Sequence, residues 1–233
     1  GIKVDLFGGD GQSMMKYYID ILKDAAQYHL AVNFHGSTFP RGWHRTYPNL
    51  VSMEGIRGEE YVTFAQYFAD RQPAHCTVIP FTRNLFDPMD FTPVNFSGIP
   101  RIMRRTTGGF EIALSVLYTS GIQHIAETPD GMAAQQDFVR EYMSTLPETW
   151  DDVKFVDGYP GKFLVMARRK GNGWYIAGIN GENSQRTVTL SLPFIGNNTQ
   201  GIIIADSDNA KELIKEAVDL SAPVKMTMHP YGG

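Results

Sequence analysis

The amino-acid sequence predicts an α/β fold in which a parallel sheet is followed by a smaller antiparallel β domain. Over residues 1–147, short apolar runs alternate with stretches of helical spacing, which is the strand–helix rhythm of a parallel sheet. After Trp150 the apolar residues recur with a period of two, and breaks such as Gly171-Asn172-Gly173 have the composition of hairpin turns. We therefore divide the chain into residues 1–147 and 148–233.

The first domain contains five candidate strands, near residues 4, 32, 51, 78 and 125. Its first helix is predicted over Gln12 to Tyr28, where apolar residues recur at helical spacing. The fourth and fifth strand candidates are Thr77 to Pro80 and His124 to Ala126. The other predicted helices are Glu59 to Ala69, Phe110 to Tyr118 and Gln135 to Met143.

The size of this domain limits its architecture. A complete (β/α)8 barrel takes about 250 residues, whereas the alternating part of this chain has 147. The domain is therefore either a smaller open α/β sheet or the C-terminal part of a TIM barrel, comprising strands 4 to 8. The chain starts inside the strand candidate Ile2 to Phe7, which favours the barrel portion.

The second domain, residues 148–233, is predicted to be a small antiparallel β-sandwich. Its polar and apolar residues alternate, which is typical of strands with one buried face. The predicted strands are Lys162 to Lys170, Trp174 to Asn180, Arg186 to Leu192 and Gly201 to Ala205.

Composition excludes several classes of function. The 21 Lys+Arg against 25 Asp+Glu give a net charge of −4, which argues against a nucleic-acid or anionic-lipid surface. A single cysteine, Cys76, rules out an internal disulfide framework and a cysteine-based zinc site. There is no HExxH motif, no signal peptide, and no run approaching the roughly 20 apolar residues of a membrane span.

Three acids are candidates for chemistry, each with a structural alternative. Asp5 lies at the end of an apolar strand, where it is either catalytic or a structural acid satisfied by Lys3 or by loop amides. Glu54 and Glu60 flank a Gly-rich segment suited to a site loop. The alternative is a helix start, because Glu59 and Glu60 lie where the helix dipole favours negative charge. His35 follows the second strand, a position more often occupied by a core histidine.

These acids occur together with aromatic-rich loops. Paired carboxylates are the machinery of glycoside hydrolysis, and aromatic rings stack on sugar rings. Acids at strand ends together with aromatic-rich loops therefore favour a carbohydrate-active enzyme. The loop aromatics are Phe39, Trp43, Tyr47, Phe86 and Phe91.

Several strings, in order and spacing, resemble glycoside hydrolase family 97, and they span nearly the whole chain. Members are exo-acting, calcium-dependent α-glycosidases of bacterial polysaccharide utilisation, with an N-terminal β-sandwich, a central (β/α)8 barrel and a C-terminal β domain. The resemblance implies that Ile2 to Phe7 is the fourth barrel strand, that the chain is an internal part of a longer enzyme, and that it is periplasmic. The strings are Ile2-Lys-Val-Asp5, Asn33-Phe-His-Gly36, Arg45-Thr-Tyr-Pro-Asn-Leu50, Glu54-Gly-Ile-Arg-Gly58, Pro80-Phe-Thr-Arg-Asn84, Pro88-Met-Asp-Phe-Thr-Pro93 and Asp157-Gly-Tyr-Pro-Gly161.

The resemblance also assigns catalytic roles. Asp5 matches the nucleophile of the retaining members, and Glu60 matches the general acid/base. Inverting members carry a Glu base directly after the strand-five His, where this sequence has Gly36. The carboxyl groups of a retaining pair lie about 5–5.5 Å apart.

Metal and substrate contacts are implied in the same way. Glu54 and Glu60 match calcium ligands, and we expect an incomplete Ca²⁺ site because a further acidic ligand of the family belongs to the N-terminal domain. His35 and Arg57 are expected to contact the oligosaccharide substrate.

The sequence thus predicts a retaining exo-α-glycosidase of the α-galactosidase type. Three alternatives stay open: an α-glucosidase of the same family, a catalytically inert or merely sugar-binding fragment, and an unrelated open α/β protein. The last requires that Asp5 and Glu60 lie far apart.

Overall fold

The computed structural model describes residues 1–196, 200–210 and 212–233. The first part of the chain alternates strands with helices, and the second part consists of strands. The helices are α1 Gln12–Gln27, α2 Gln66–Val78, α3 Gly108–Leu117, α4 Pro129–Ala133 and α5 Asp137–Ser144. The strands are β1 Ile2–Val4, β2 Val32–Phe34, β3 Leu50–Met53, β4 Asp152–Tyr159, β5 Phe163–Lys170, β6 Gly173–Asn180, β7 Arg186–Leu190, β8 Gln200–Asp206, β9 Leu213–Asp219 and β10 Val224–Met228.

A three-stranded parallel sheet, in the order β1-β2-β3, begins the chain. Helix α1 covers one face of this sheet, and the buried α1 residues Tyr18 and Leu22 pack in one cluster with Val32 and Phe34. Because side chains alternate along a strand, the residues between and after these two point to the opposite face. That face carries the polar residues of the site.

The two later strand candidates of this domain are wrong. Residues 77–80 finish α2 and continue into the 3₁₀ turn Ile79–Phe81, where Cys76 and Ile79 are buried in the core. A short apolar run is equally consistent with a buried helix segment, which is why its pattern misled. His124 to Ala126 forms no strand, although Ala126 N donates a hydrogen bond to Pro93 O.

Residues 89 and 90 instead lie next to the end of β3. Asp90 N donates to Met53 O, and Met89 N donates to Thr119 O. These bonds bring Asp90 to the edge of the parallel sheet, beside the ends of the strands.

The second half is antiparallel, as predicted. Strands β4, β5 and β6 form one sheet, β7 pairs with β10, and β8 pairs with β9. Helix α3 packs against this half, with Phe110 and Leu114 in one buried cluster with Leu164 and Ile179. The mixed α/β class is therefore confirmed, and three strands of the proposed barrel portion are described. None of the described helices has the length and apolar character needed to cross a bilayer.

Candidate functional site

The site lies where the three parallel strands end. Asp5, His35 and Glu54 each directly follow the last residue of their strand, on the face away from α1. Parallel strands present their carboxyl ends at one edge of a sheet, so these side chains meet. The row below them on the same face is Lys3, Asn33 and Ser52, which are partners in the strand register.

Asp5 sits in a tight turn at the end of β1. Its Oδ1 accepts a hydrogen bond from Leu6 N at 2.6 Å, and Leu6 adopts a left-handed conformation with φ of 64°. Its Oδ2 lies 3.4 Å from His35 Nδ1, and the side chain is 47% exposed. Asp5 does not pair with Lys3, as the structural alternative from the sequence supposed, because the Lys3 ammonium contacts Asp90 instead.

Gly36 leaves the space that Asp5 occupies. A Cβ atom at position 36 would lie 2.6 Å from Asp5 Oδ1 and 2.9 Å from Leu6 N. Its φ of 53° is also one that residues with a side chain rarely adopt. The Gly36 amide donates to Glu54 Oε2 at 2.7 Å, so its backbone links the two acids.

Glu54 is buried in a negatively charged neighbourhood. Its Oε1 lies 3.6 Å from His35 Nε2. Burial raises the pKa of the Glu54 carboxyl, His35 and the Gly36 amide oppose that rise, and the negative charges of Glu60 and Asp5 add to it. Both predicted catalytic acids therefore act electrostatically on the same buried carboxyl group.

Glu60 reaches this cluster from the 3₁₀ turn Glu59–Thr63. One ring nitrogen of His35 and one carboxylate oxygen each of Glu54 and Glu60 lie within 4.8 Å of one another. Glu60 is exposed, and its carboxylate forms no ion pair with any described residue. The turn also begins with Glu59 and Glu60, as the helix-start alternative requires, but only Glu59 turns inward, where Gln72 Nε2 donates to it.

Glu54 and Glu60 suit a divalent cation. Two adjacent carboxylates with no Lys or Arg side chain on them within the described ranges leave negative charge that a cation would offset. Calcium binds 6–8 oxygen ligands, so these two acids fit as part of a set. His35 does not fit that set, because calcium prefers oxygen to imidazole nitrogen.

The two predicted substrate contacts, His35 and Arg57, have different surroundings. His35 is buried, with its ring between Asp5 and Glu54, so it is suited to orienting the two acids. The Arg57 guanidinium lies 5.5 Å from the centre of the Phe68 ring. Among the aromatics of the predicted loops, Phe39 and Phe86 are exposed, while Phe91 is buried against Tyr118.

Sequence reasoning missed Asp90. This fully buried carboxylate contacts Lys3 Nζ at 3.0 Å, Asn33 Nδ2 at 2.6 Å and His124 Nδ1 at 3.0 Å. Burial alone would raise its pKa, but these hydrogen bonds hold the pKa of Asp90 below its ordinary value. The available signal was Lys3 itself, because a lysine on the inner face of a strand needs a partner of opposite charge.

Two family models match the chain. One is described as glycoside hydrolase 97 and covers residues 1–56. The other is described as glycosyl-hydrolase 97 C-terminal, oligomerisation, and covers residues 149–233.

Two relatives in sequence and one solved structure are similar to this chain. Over 76% of its length the chain is 42% identical to a protein of Streptomyces bingchenggensis named probable retaining alpha-galactosidase, and over 97% it is 28% identical to a retaining alpha-galactosidase of Bacteroides thetaiotaomicron. It spans 27% and 35% of these two relatives. A crystal structure titled as a beta-arabinopyranosidase superimposes with a TM-score of 0.92 at 35% identity, covering 99% of this chain and 38% of that one.

Proposed function

The chain belongs to glycoside hydrolase family 97, and from that membership we propose that it carries the catalytic residues of a retaining exo-α-glycosidase. The chain spans about a third or less of its curated relatives, so the proposal concerns the longer protein that contains it. In that protein, residues 1–147 would belong to the C-terminal part of a (β/α)8 barrel, with β1, β2 and β3 as three consecutive strands of it.

The proposed reaction is a double displacement. The Asp5 carboxylate attacks the anomeric carbon of the terminal sugar, and the Glu60 carboxylic acid gives its proton to the departing glycosidic oxygen. The bond from C1 to that oxygen breaks, and an ester forms between C1 and Asp5. Glu60 then takes a proton from a water molecule, whose oxygen attacks C1 and breaks the ester. The released sugar has the α configuration of the substrate.

The position of Asp5 is the observation that carries this proposal. Its carboxylate is half exposed and has no Lys or Arg partner among the described residues, so it is free to act as a nucleophile. An inverting mechanism needs a base that activates water, and position 36 has no side chain to supply one.

The sugar we propose has the galacto configuration. Two relatives are named alpha-galactosidases and one is named a beta-arabinopyranosidase. The α-D-galactopyranosides and β-L-arabinopyranosides share the configuration of every ring carbon and differ only by the exocyclic hydroxymethyl group. The α-glucosides, which differ at C4, are the alternative substrate.

We propose that Glu54 and Glu60 contribute to a calcium site. When bound there, calcium would supply fixed positive charge and coordination sites for oxygen atoms. Glu54 would hold the ion through its carboxylate while its second oxygen keeps the bond from the Gly36 amide. Glu60 would be the second carboxylate ligand of the ion.

The test is the configuration of the first product. The full-length protein is incubated with 4-nitrophenyl α-D-galactopyranoside, β-L-arabinopyranoside and α-D-glucopyranoside, and the anomers are followed by NMR. We expect the galacto-configured substrates to react fastest and the α-galactose anomer to appear first. Early release of the β anomer would overturn the retaining mechanism. Residues 1–233 are assayed in parallel. If they hydrolyse substrate as fast as the full-length protein, the inert-fragment alternative is excluded.

A further inference from the structure

Asp90 is a buried carboxylate that the double displacement does not use. It is fully covered, yet it binds donors from three parts of the chain: β1, β2 and the segment after α3. Lys3 and Asn33 share Oδ2, and His124 contacts Oδ1. The carboxylate therefore fixes the positions of a cationic and an imidazole side chain relative to each other.

The far sides of these two groups reach open space. The side chains of Lys3 and His124 are 38% and 36% exposed, whereas that of Asp90 is 0% exposed. Lys3 lies two residues before Asp5 on the same strand face, about 6–7 Å along the strand. A sugar placed with its anomeric carbon at Asp5 therefore has other ring positions near this group.

The hydrogen-bonding capacity left over is one donor group and one acceptor. An ammonium group has three N–H donors, and Lys3 uses one on Asp90. A carboxylate only accepts, so His124 must donate its Nδ1–H, and the Nε2 of the neutral ring then carries a lone pair. Together they match two hydroxyl groups, one accepting from Lys3 and one donating to His124.

A second observation points to a missing partner. The Oδ1 atom of Asn33 is buried and accepts no hydrogen bond from any described residue. Buried polar atoms are almost always paired, with protein, water or a ligand. Asn33 contacts Asp90 through its other amide atom, so this free acceptor belongs to the same group.

We propose that Lys3 and His124, held by the positioning residue Asp90, bind two hydroxyl groups of the terminal sugar and set specificity for them. The inference rests on the proposed glycosidase function. A neutral sugar suits the group better than an anion does, because the Lys3 and Asp90 charges cancel and the adjacent acids Asp5, Glu54 and Glu60 repel anions.

The experiment uses the full-length protein and monodeoxy substrates. Values of kcat/KM are measured for 4-nitrophenyl α-D-galactopyranoside and its 2-, 3-, 4- and 6-deoxy analogues with the wild type and with Lys3→Met, His124→Phe and Asp90→Asn. In the wild type, removing a bound hydroxyl should cost about 10- to 100-fold. Lys3→Met should lose this sensitivity at one ring position, His124→Phe at another, and Asp90→Asn at both.

A merely structural role predicts a different pattern. Every variant would then keep the wild-type ratio between parent and deoxy substrates, and that result would overturn the inference. Asp24→Asn, an exposed acid on α1, is the matched control and should keep all wild-type values. Because Lys3 and His124 are partly exposed, their two variants decide the question even if Asp90→Asn fails to fold. A wild type that cleaves no aryl glycoside would instead remove the proposed function itself.

Discussion

Asp5 Oδ1 lies 2.6 Å from the point where a Cβ atom on Gly36 would stand. The two residues end neighbouring strands, and the backbone ties them together through hydrogen bonds from His35 N to Val4 O and from Phe7 N to Gly36 O. A side chain at position 36 and the observed Asp5 carboxylate cannot coexist. This relationship explains in steric terms why a nucleophile on β1 goes with glycine after His35.

Gly36→Ala should therefore reduce activity by more than backbone strain alone explains. The added methyl group displaces Asp5, and we expect kcat to fall at least about 10-fold because small errors of position are costly for a nucleophile. Gly42→Ala is the control, since Gly42 also has positive φ, at 74°, but nothing within 4 Å of its Cβ position. Both variants should lose about 1–2 kcal/mol of stability from the left-handed backbone, measured by thermal unfolding. Equal kcat values in the two variants would contradict the steric account.

Substitution of Asp5 should be repaired by an external nucleophile. We expect Asp5→Gly to lose at least about 1,000-fold in kcat, the scale on which removal of a nucleophile acts. Sodium azide should restore turnover and give the β-glycosyl azide, because azide would attack from the face that Asp5 leaves. Asp24→Gly, on the exposed face of α1, should be unaffected by azide. An α-glycosyl azide would place the nucleophile elsewhere.

Glu60→Gln should affect substrates according to their leaving groups. Loss of a general acid costs about 10²- to 10⁴-fold in rate. The glycosylation rate should fall by this factor for alkyl glycosides, whose leaving group needs protonation, and much less for 2,4-dinitrophenyl glycosides. Glu59→Gln is the neighbouring control. Burial raises the pKa of Glu59 well above its ordinary value, and its side chain faces Gln72 rather than the site, so an amide at position 59 should leave proton transfer intact. Equal losses at positions 59 and 60, for every leaving group, would argue for a structural role of this turn.

Calcium removal should lower both activity and thermal stability. A ligand that binds the folded state stabilises it by mass action. Without the cation, the repulsion between the Glu54 and Glu60 carboxylates is no longer compensated. We expect added Ca²⁺ to reverse the effect of a chelator in the wild type. Glu54→Gln should have a lower Tm that no longer responds to calcium. A wild type whose Tm is the same with chelator and with excess Ca²⁺ would contradict the site.

Asp90 should contribute to stability in a pH-dependent way. Its folded-state pKa is held below 3.8, so the stabilisation is present above the unfolded-state pKa and is lost as pH falls through the folded value. Asp90→Asn should lose about 1–3 kcal/mol at neutral pH, from its hydrogen bonds to Lys3 and His124. The difference from wild type should shrink below about pH 4 in denaturant titrations. A difference independent of pH would assign the loss to packing.

Hydrophobic periodicity in the sequence predicted the helices and strands whose residues follow one clear period. The amphipathic spacing of α1 and the alternation of β5 and β6 are strong enough to locate them within a residue or two. Strand β4 was missed because a bulge between Phe155 and Asp157 interrupts its alternation. The segment 77–80 was mistaken for a strand because a run of only four residues does not reveal its hydrophobic period.

Some site residues could be predicted from the sequence and others could not. Asp5, His35 and Glu54 could be found because each follows a strand, and parallel strands end at a common edge. Asp90 could not, because its contacts span 87 positions to Lys3 and 34 to His124, and no pattern in the sequence fixes them. The position of Arg57 over Phe68 is likewise a product of tertiary packing.

Trapping the covalent intermediate tests the central claim most directly. The full-length protein would be incubated with a fluorinated galactosyl fluoride that forms the glycosyl-enzyme but releases it slowly, then digested and mapped by mass spectrometry. We expect one sugar per chain, bound as an ester to the Asp5 carboxylate and absent from Asp5→Asn. A label on any other residue, or no label from a probe that inactivates the enzyme, would contradict it.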